Sequence, residues 1–267
     1  ALSSIAFAQI PPAGRKIGRS IRLYAMARRG VVAAIDPRLT NMRLPGLVLL
    51  FGSLATSAFA QVPPSESEIG SYVGLHQAAA RGDVEAIERG VKSGDPVNGD
   101  DRQQRTPLHV AIFRKKYDAA RALLRLKADP NRLEFGRYDI ITIAAVANDL
   151  EGLDSAIEGV GDPRAITSVY DGTALIAAAH LGHAEVVRRL IAAGAPLDHV
   201  NNLGWTALME SIVLGDGGRS HTETLQALVS AGADVNIADR QGVTPLQHAK
   251  QRGFAAMVKI LEAAGAR

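Results

Sequence analysis

The chain has 267 residues, of which 47% are hydrophobic and 21% are charged, and none is cysteine. The lack of cysteine excludes a disulfide framework, a thiol nucleophile and a lipid-modified cysteine, although it is compatible with an oxidising compartment. The net charge of +3 comes from residues 1–60, which hold eight of the 30 Lys+Arg and one of the 27 Asp+Glu. The remaining 22 basic and 26 acidic residues give residues 61–267 a net charge of −4. The basic pI of the whole chain therefore does not favour a nucleic-acid partner.

Residues 42–60 have the pattern of a secretory signal peptide. Met42-Arg43 is followed by an apolar, uncharged stretch over 44–57 and then by Ala58-Phe59-Ala60, an A-x-A motif. We therefore expect cleavage after Ala60 and a periplasmic or secreted mature protein with no membrane segment. An uncleaved membrane anchor is the alternative, but the apolar stretch contains a proline and a glycine and is shorter than the roughly 20 residues of a membrane span.

The segments on either side of this leader carry no repeat pattern. We interpret residues 1–41 as an upstream extension, disordered or misassigned, with the true start at Met26 or Met42. Their Arg-rich and acid-poor composition also fits a transit peptide, although a signal-like sequence follows directly. Residues 61–71, rich in Pro, Ser and Glu, are predicted to form a short mobile linker.

The rest of the chain repeats one motif six times, at spacings of 33 or 34 residues and, once, of 38. The clearest copy is Thr106-Pro107-Leu108-His109-Val110-Ala111, and the others occupy 73–78, 139–144, 173–178, 206–211 and 244–249. Threonine followed by proline is typical of a helix start, because the hydroxyl caps the first turn and proline needs no amide partner there. A fixed period of this length predicts a stacked repeat array.

On these copies the chain resembles the ankyrin repeat family, whose T-P-L-H-x-A signature recurs at about 33 residues. Glycines in register, such as Gly182 between two predicted helices and Gly194 and Gly232 after the second, strengthen the resemblance. It covers residues 72–267 and implies an all-α repeat solenoid of about six helix–turn–helix units joined by β-hairpin loops. The expected repeats are 72–100, 101–133, 134–167, 168–200, 201–238 and 239–267.

Several positions depart from the period. Lys127 and Val160 stand where other repeats have a helix-ending glycine. A left-handed backbone costs such residues about 1–2 kcal/mol, so we expect a different geometry there. Asn148, in contrast, is compatible with a left-handed turn. Five extra residues in the fifth repeat, 216–220, are predicted to form a flexible loop, and polar residues in the first and last repeats predict capping units.

The sequence does not support a catalytic or metal site. It contains no G-x-S-x-G elbow, no phosphate-binding G-x-x-x-x-G-K-[ST] and no H-E-x-x-H. His180 and His183 could share a helix face, but no carboxylate completes a set of three or four zinc ligands. The resemblance instead implies that His76 and His109 bridge neighbouring hairpins and that His183 and His221 are structural. We therefore expect no enzymatic activity, no metal and no cofactor.

The resemblance implies that partner proteins bind to the hairpin tips and to the concave face of the first helices. Aromatic and arginine side chains are common anchors of protein interfaces, and four of the eight aromatic residues after residue 60 fall at tip positions. The predicted partner-binding residues are Arg102, Arg105, Phe135, Tyr138, Tyr170, Leu203, Trp205 and Arg240. For Trp205 the alternative is that the ring only covers the adjacent hairpin.

Taken together, these features predict a non-catalytic protein–protein interaction scaffold of the bacterial cell envelope. The expected partners are proteins and not nucleic acid or membrane. The alternative is a secreted, effector-type ankyrin protein that engages host or competitor proteins.

Overall fold

The computed structural model describes residues 61–267, and within them it contains 13 α-helices and no β-strand. A short helix, α1 (Glu66–Ser71), precedes six antiparallel pairs, one for each repeat. The pairs are α2 (Gly74–Arg81) and α3 (Val84–Lys92), α4 (Pro107–Phe113) and α5 (Tyr117–Arg125), α6 (Ile140–Val146) and α7 (Leu150–Glu158), α8 (Ala174–Leu181) and α9 (Ala184–Ala192), α10 (Ala207–Val213) and α11 (Arg219–Ser230), and α12 (Pro245–Gln251) and α13 (Ala255–Ala263). The predicted all-α repeat solenoid is confirmed. The predicted signal peptide over 42–60 and the extension over 1–41 lie outside the described residues.

The first helix of each of repeats 2–6 begins at the repeated motif. The backbone N–H of His109 donates to Thr106 Oγ1 at 3.4 Å, and that of Thr142 donates to the carboxylate of Asp139 at 2.7 Å. The same N-cap bond is made by Thr173, Thr206 and Thr244. Each cap satisfies an amide that has no partner within the helix, which explains why the motif starts a helix in each of these repeats.

The helices stack repeat upon repeat. Each first helix contacts the first helix of the next repeat, and each second helix contacts the next second helix. The last position of the motif is fully buried in repeats 2–6, where it is occupied by Ala111, Ala144, Ala178, Ser211 and Ala249. Because only small side chains stand there, neighbouring first helices can approach closely. Stability therefore comes from the interfaces between repeats.

Lys127 and Val160, which follow the ends of second helices, adopt the left-handed backbone conformation. Their φ angles are 71° and 65°, in the same region as the 89° of Gly194, and the N–H of Val160 still closes the helix by donating to Ile157 O at 3.0 Å. The expectation of a different geometry is wrong because the capping hydrogen bonds of the helix end outweigh the local strain of about 1–2 kcal/mol. The left-handed turn expected at Asn148 is confirmed, with φ 52°.

The insertion of the fifth repeat forms the turn before its second helix, over 216–218, and the first two residues of that helix, 219–220. Helix α11 begins at Arg219 and has 12 residues, compared with nine in α9. His221, in the first turn of α11, points back to the fourth repeat, where its Nε2 donates to His180 O at 3.0 Å, while its Nδ1 bonds Asp216 Oδ1 at 2.8 Å. The prediction of a loop over all of 216–220 is therefore wrong, since 219–220 belong to α11 and Asp216 is hydrogen-bonded to His221.

The turn before α11 is also held by the sixth repeat. Arg252 Nη2 donates to Gly215 O at 2.8 Å, and the Arg252 guanidinium lies 4.8 Å above the ring of Phe254. The same ring packs against Gly217, at a place that a side chain on residue 217 would occupy. The glycines of the insertion thus allow close packing and a left-handed turn. Their presence had suggested a flexible loop because glycine is common in such loops.

Residues 66–71, predicted as part of a mobile linker, form α1. The N–H of Glu68 donates to Ser65 Oγ at 3.2 Å, and the N–H of Ser65 donates to Glu68 Oε2 at 2.8 Å, which is a capping box. The Ser-x-x-Glu pattern over 65–68 is the sequence signal that the linker interpretation overlooked. None of the helices over 61–267 is long and apolar enough to cross a bilayer.

Candidate functional site

The loops that lead into the first helices fold as tight hairpins with a shared turn. In the loop 101–105, Asp101 Oδ1 accepts hydrogen bonds from the backbone N–H groups of Gln103 at 2.8 Å and Arg105 at 2.9 Å. Asn201 and Asp239 make the same pair of bonds in their own loops. A short polar side chain thus fixes the turn. The sequence signal for it is an Asp or Asn five residues before the N-cap threonine.

Backbone hydrogen bonds also join neighbouring hairpin tips into a continuous edge. Across the tips of repeats 2 to 5, Phe135 N donates to Gln103 O at 2.9 Å, Ser168 N to Arg137 O at 2.8 Å and Asn202 N to Tyr170 O at 2.9 Å. The tips are therefore held in register. The only β-bridge among residues 61–267, between Thr167 and Gly172, lies in this edge, so the expected β-hairpin loops are hairpin turns that do not extend into strands.

Five of the predicted partner-binding residues are at least partly exposed on the hairpin tips, four of them on this edge and the fifth, Arg240, on the tip of repeat 6. The side chain of Phe135 is exposed, with 59% of its surface accessible. Arg102 and Arg240 are exposed as well, and Tyr170 and Leu203 are half-buried. These five residues occupy the second or third position of their tips, where the hairpin points away from the helices. We refer to them as the tip surface.

Three other predicted residues, Arg105, Tyr138 and Trp205, are buried, with exposures of 1%, 0% and 5%. All three occupy the last tip position, directly before the N-cap, where the chain turns from the hairpin into the first helix. The side chain there lies under the hairpin: the ring of Tyr138 is so close to Gly136 that a Cβ at residue 136 would lie 3.0 Å from it. With residues 61–71 bound to Arg105 as they are in this structure, these three residues are covered and not available to a partner, which corrects the prediction. For Trp205, burial agrees with the alternative role in packing.

Arg105 is the centre of an ion cluster that sequence reasoning missed. Its Nε donates to Asp101 Oδ2 at 2.8 Å, its Nη1 donates to Val62 O at 3.2 Å and its Nη2 donates to the carboxylate of Glu68. Tyr72 donates its hydroxyl proton to Asp101 Oδ2 at 2.7 Å. Burial and this hydrogen bond raise the pKa of Tyr72 well above its ordinary value, so the phenol stays neutral and remains a donor. The cluster binds the segment before the first repeat to the second repeat.

The histidines of the motif bridge neighbouring hairpins, as the resemblance implied. His76 Nε2 donates to Arg105 O at 2.8 Å, and His109 Nε2 donates to Arg132 O at 3.0 Å. The N–H of Thr106 donates to His109 Nδ1 at 3.1 Å, which places the ring proton on Nε2. Burial lowers the pKa of His109 to about 4, so the ring is neutral at physiological pH.

His180 and His183 do not converge on a metal site. His183 Nδ1 donates to Ala145 O at 3.0 Å, whereas His180 Nδ1 bonds Glu210 Oε2 at 3.1 Å. The buried Glu210 carboxylate also accepts from Asn201 Nδ2 at 2.9 Å. Throughout residues 61–267, no group of three or more His, Cys, Asp or Glu is arranged to hold a metal ion. These polar groups connect repeats 3, 4 and 5.

A cleft of about 540 Å³ opens between α5 and α7. Its lining includes both strained helix ends, Lys127 and Val160, together with Leu124, Arg125 and Glu158. It is thus formed by the ends of second helices, whereas the tip surface belongs to the loops that precede first helices.

Sequence comparison identifies the repeats. Residues 65–134 and 141–239 match the family described as "Ankyrin repeats (3 copies)", and residues 217–262 match "Ankyrin repeats (many copies)". The chain is similar to the putative ankyrin repeat protein YahD of Escherichia coli (strain K12). The two are 32% identical over 190 residues, which cover 71% of this chain and 94% of YahD.

Solved structures show the same architecture. An ankyrin repeat domain from Acinetobacter baumannii AYE superimposes with a TM-score of 0.69 and 40% sequence identity, over 72% of this chain and 98% of that one. The ankyrin repeat domain of Bcl-3, a member of the IkappaB protein family, gives a TM-score of 0.67 and 26% identity, over 74% and 88% of the two chains. The chain therefore belongs to the ankyrin repeat family, whose repeats form protein–protein interaction domains.

Proposed function

We propose that this protein is a scaffold of the bacterial cell envelope that binds partner proteins through its tip surface. The observation that carries the proposal is Phe135. Its ring is 59% exposed, yet its backbone is fixed to the neighbouring tip by the bond to Gln103 O at 2.9 Å. An exposed aromatic side chain on an ordered backbone loses little conformational freedom when it binds, and such residues are frequent anchors of interfaces.

The rest of the tip surface has the composition of a protein interface. Tyr170 and Leu203 add partly exposed apolar area on the two tips that follow that of Phe135, and Arg102 and Arg240 add charge on the tips of repeats 2 and 6. The stem of Arg240 packs on the backbone of Gly204, where an added Cβ would lie 2.6 Å from Arg240 Cγ. The guanidinium therefore extends from a supported stem, and an apolar centre with a polar rim is typical of protein–protein contacts.

Site-specific photocrosslinking tests the binding surface. A photoreactive phenylalanine analogue replaces Phe135 in one variant and Val160 in the control variant, because Val160 is even more exposed, at 82%, but lies at the end of a second helix. We expect a defined crosslinked partner from position 135 and none from position 160. Equal crosslinking at both positions, or none at position 135, would contradict the proposed surface.

The envelope location is supported by the expected signal peptide and its A-x-A motif before Gln61. N-terminal sequencing of the purified protein together with cell fractionation tests it. A chain that begins at Gln61 and is recovered from the periplasm would support the envelope scaffold. Recovery from the culture medium would instead support the secreted effector that engages host or competitor proteins. An uncleaved chain in the cytoplasm would contradict both.

A further inference from the structure

Helix α1 is bonded to arginines at the two ends of the first helix of the second repeat. Glu68 bonds Arg105, which stands two residues before α4 begins, and Glu66 Oε1 accepts a hydrogen bond at 2.8 Å from Nη1 of Arg114, the residue that caps the end of α4. The two carboxylates of α1 therefore reach both ends of α4. The chain before α1 joins the same contact, because Val62 O accepts from Arg105 and the side chain of Pro64 is buried.

This pair of arginines is a peculiarity of the second repeat. At the position of Arg105, the other repeats from residue 72 onward have Tyr72, Tyr138, Gly172, Trp205 and Val243. At the position of Arg114 they have Arg81, Ala147, Leu181, Leu214 and Arg252. Only the second repeat carries arginine at both places. The array does not need this pair for stacking, since the other repeats stack without it. Arg105 also bonds Asp101 of its own loop, and what the two arginines share is a carboxylate partner in the acidic segment.

The segment is held by polar contacts together with limited apolar packing, in which the half-buried Ile69 lies against the core of the array. No residue of α1 is fully buried, and a helix of six residues has no stability of its own. The Glu66 side chain is 81% exposed and that of Arg114 is 36% exposed, so solvent screens their attraction. Release of α1 would leave α4 capped by Thr106 and packed between α2 and α6. The segment can therefore leave without removing the structural support of the surface beneath it.

We propose that α1 and the residues before it are a built-in occupant of a binding site for acidic peptide segments. Arg105 and Arg114 form the two ends of this site. A matching partner segment carries two carboxylates with one residue between them, as in Glu66-Ser67-Glu68, after a short proline-containing stretch, and it displaces α1. This inference rests on the proposed function, because it specifies the chemistry of one class of protein partner.

A labelled peptide tests the site. The probe is a fluorescent synthetic peptide with the sequence of residues 61–71, and its binding to the full chain is followed by fluorescence anisotropy. In the wild type the tethered segment competes at an effective concentration in the millimolar range. We expect the Glu66→Gln, Glu68→Gln double variant, in which the tethered segment is weakened, to bind the peptide at least about tenfold more tightly than the wild type. A further Arg114→Glu change should abolish that gain, and so should replacement of both peptide glutamates by glutamine.

Two results would overturn the proposal. The first is a double variant that binds the peptide no better than the wild type, or whose binding does not change when Arg114→Glu is added. The second comes from amide hydrogen exchange, which should accelerate in the double variant only over residues 62–71. Acceleration that extends through α2 and α3 would show that α1 is an integral cap of the first repeat. If the peptide does not bind while crosslinking at position 135 persists, this inference fails and the proposed function stands.

Discussion

Replacing Val160 by glycine should stabilise the array. Val160 ends α7 with φ 65°, a conformation in which its Cβ is crowded by the backbone, and its side chain is 82% exposed. The strain costs about 1–2 kcal/mol, and little burial is lost when the side chain is removed. Glycine also lowers the free energy of unfolding by about 0.5–1 kcal/mol, because it makes the unfolded chain more flexible. The expected net gain for Val160→Gly is therefore about 1 kcal/mol.

The mirror substitution provides a matched control. Gly194 ends α9 with φ 89°, and a Cβ added there would meet no atom within 4 Å, so the cost of Gly194→Val is conformational alone. We expect this variant to lose about 1 kcal/mol of stability, the reverse of Val160→Gly. Val160→Ala keeps a Cβ in the strained region, so it should gain much less than the glycine variant.

Urea unfolding followed by circular dichroism measures these differences in the free energy of unfolding. For a domain of this size, 1 kcal/mol also corresponds to a shift of about 2–4 °C in the melting temperature. The reasoning is refuted if Val160→Gly is less stable than the wild type while Gly194→Val loses stability as expected. That result would mean that Val160 makes contacts in the cleft between α5 and α7 that outweigh its strain.

Further predictions concern buried ionisable groups and the insertion. Burial raises the pKa of Asp139 to about 6, so the folded state holds a proton that the unfolded state releases near pH 4, and stability falls as the pH rises between these values. Asp139→Asn should remove this loss of stability. In urea unfolding the variant should be about 1–3 kcal/mol more stable than the wild type at pH 7.5 and no more stable at pH 4. An equal effect at both pH values would contradict the prediction. The effect of His109 on stability has the opposite pH dependence, because its pKa is lowered to about 4 in the folded state. As the pH falls below about 6.5, the unfolded state takes up a proton that the folded state does not, so stability decreases until about pH 4. His109→Gln, which introduces the residue that the last repeat has as Gln247, should flatten this loss, and an unchanged slope would contradict it. Phe254→Ala should speed amide exchange over 214–218, because the ring packs against Gly217; unchanged exchange would show that other contacts order the turn.

The repeat period predicted those features that depend on local spacing. The N-cap of Thr106 and the bridge made by His109 each involve residues at fixed positions in the motif, so they could be read from the sequence. Which tip side chains are buried could not be read from the sequence. Tyr138 and Trp205 stand two or three residues after exposed tip positions, and only the turn of the hairpin decides which of these side chains lies underneath.

The order of two other segments depends on residues far away in the sequence. Helix α1 has a local capping signal, but so short a helix needs distant contacts, which Arg105 and Arg114 provide to its carboxylates and the core provides to Ile69. The insertion over 216–220 is ordered by Arg252 and Phe254 of the next repeat and by His180 O of the previous one. Local amino-acid composition carries no information about such long-range contacts, which is why both segments were predicted to be mobile.

The turn before α11 has a consequence for how the chain folds. In a repeat array, folding can begin in any repeat and then spreads to its neighbours through the interfaces between them. This single turn is bonded to His180 O of the repeat before it and to Arg252 and Phe254 of the repeat after it, so unfolding of either neighbour removes contacts that order it. We therefore expect repeats 4 to 6 to unfold together, as one cooperative unit.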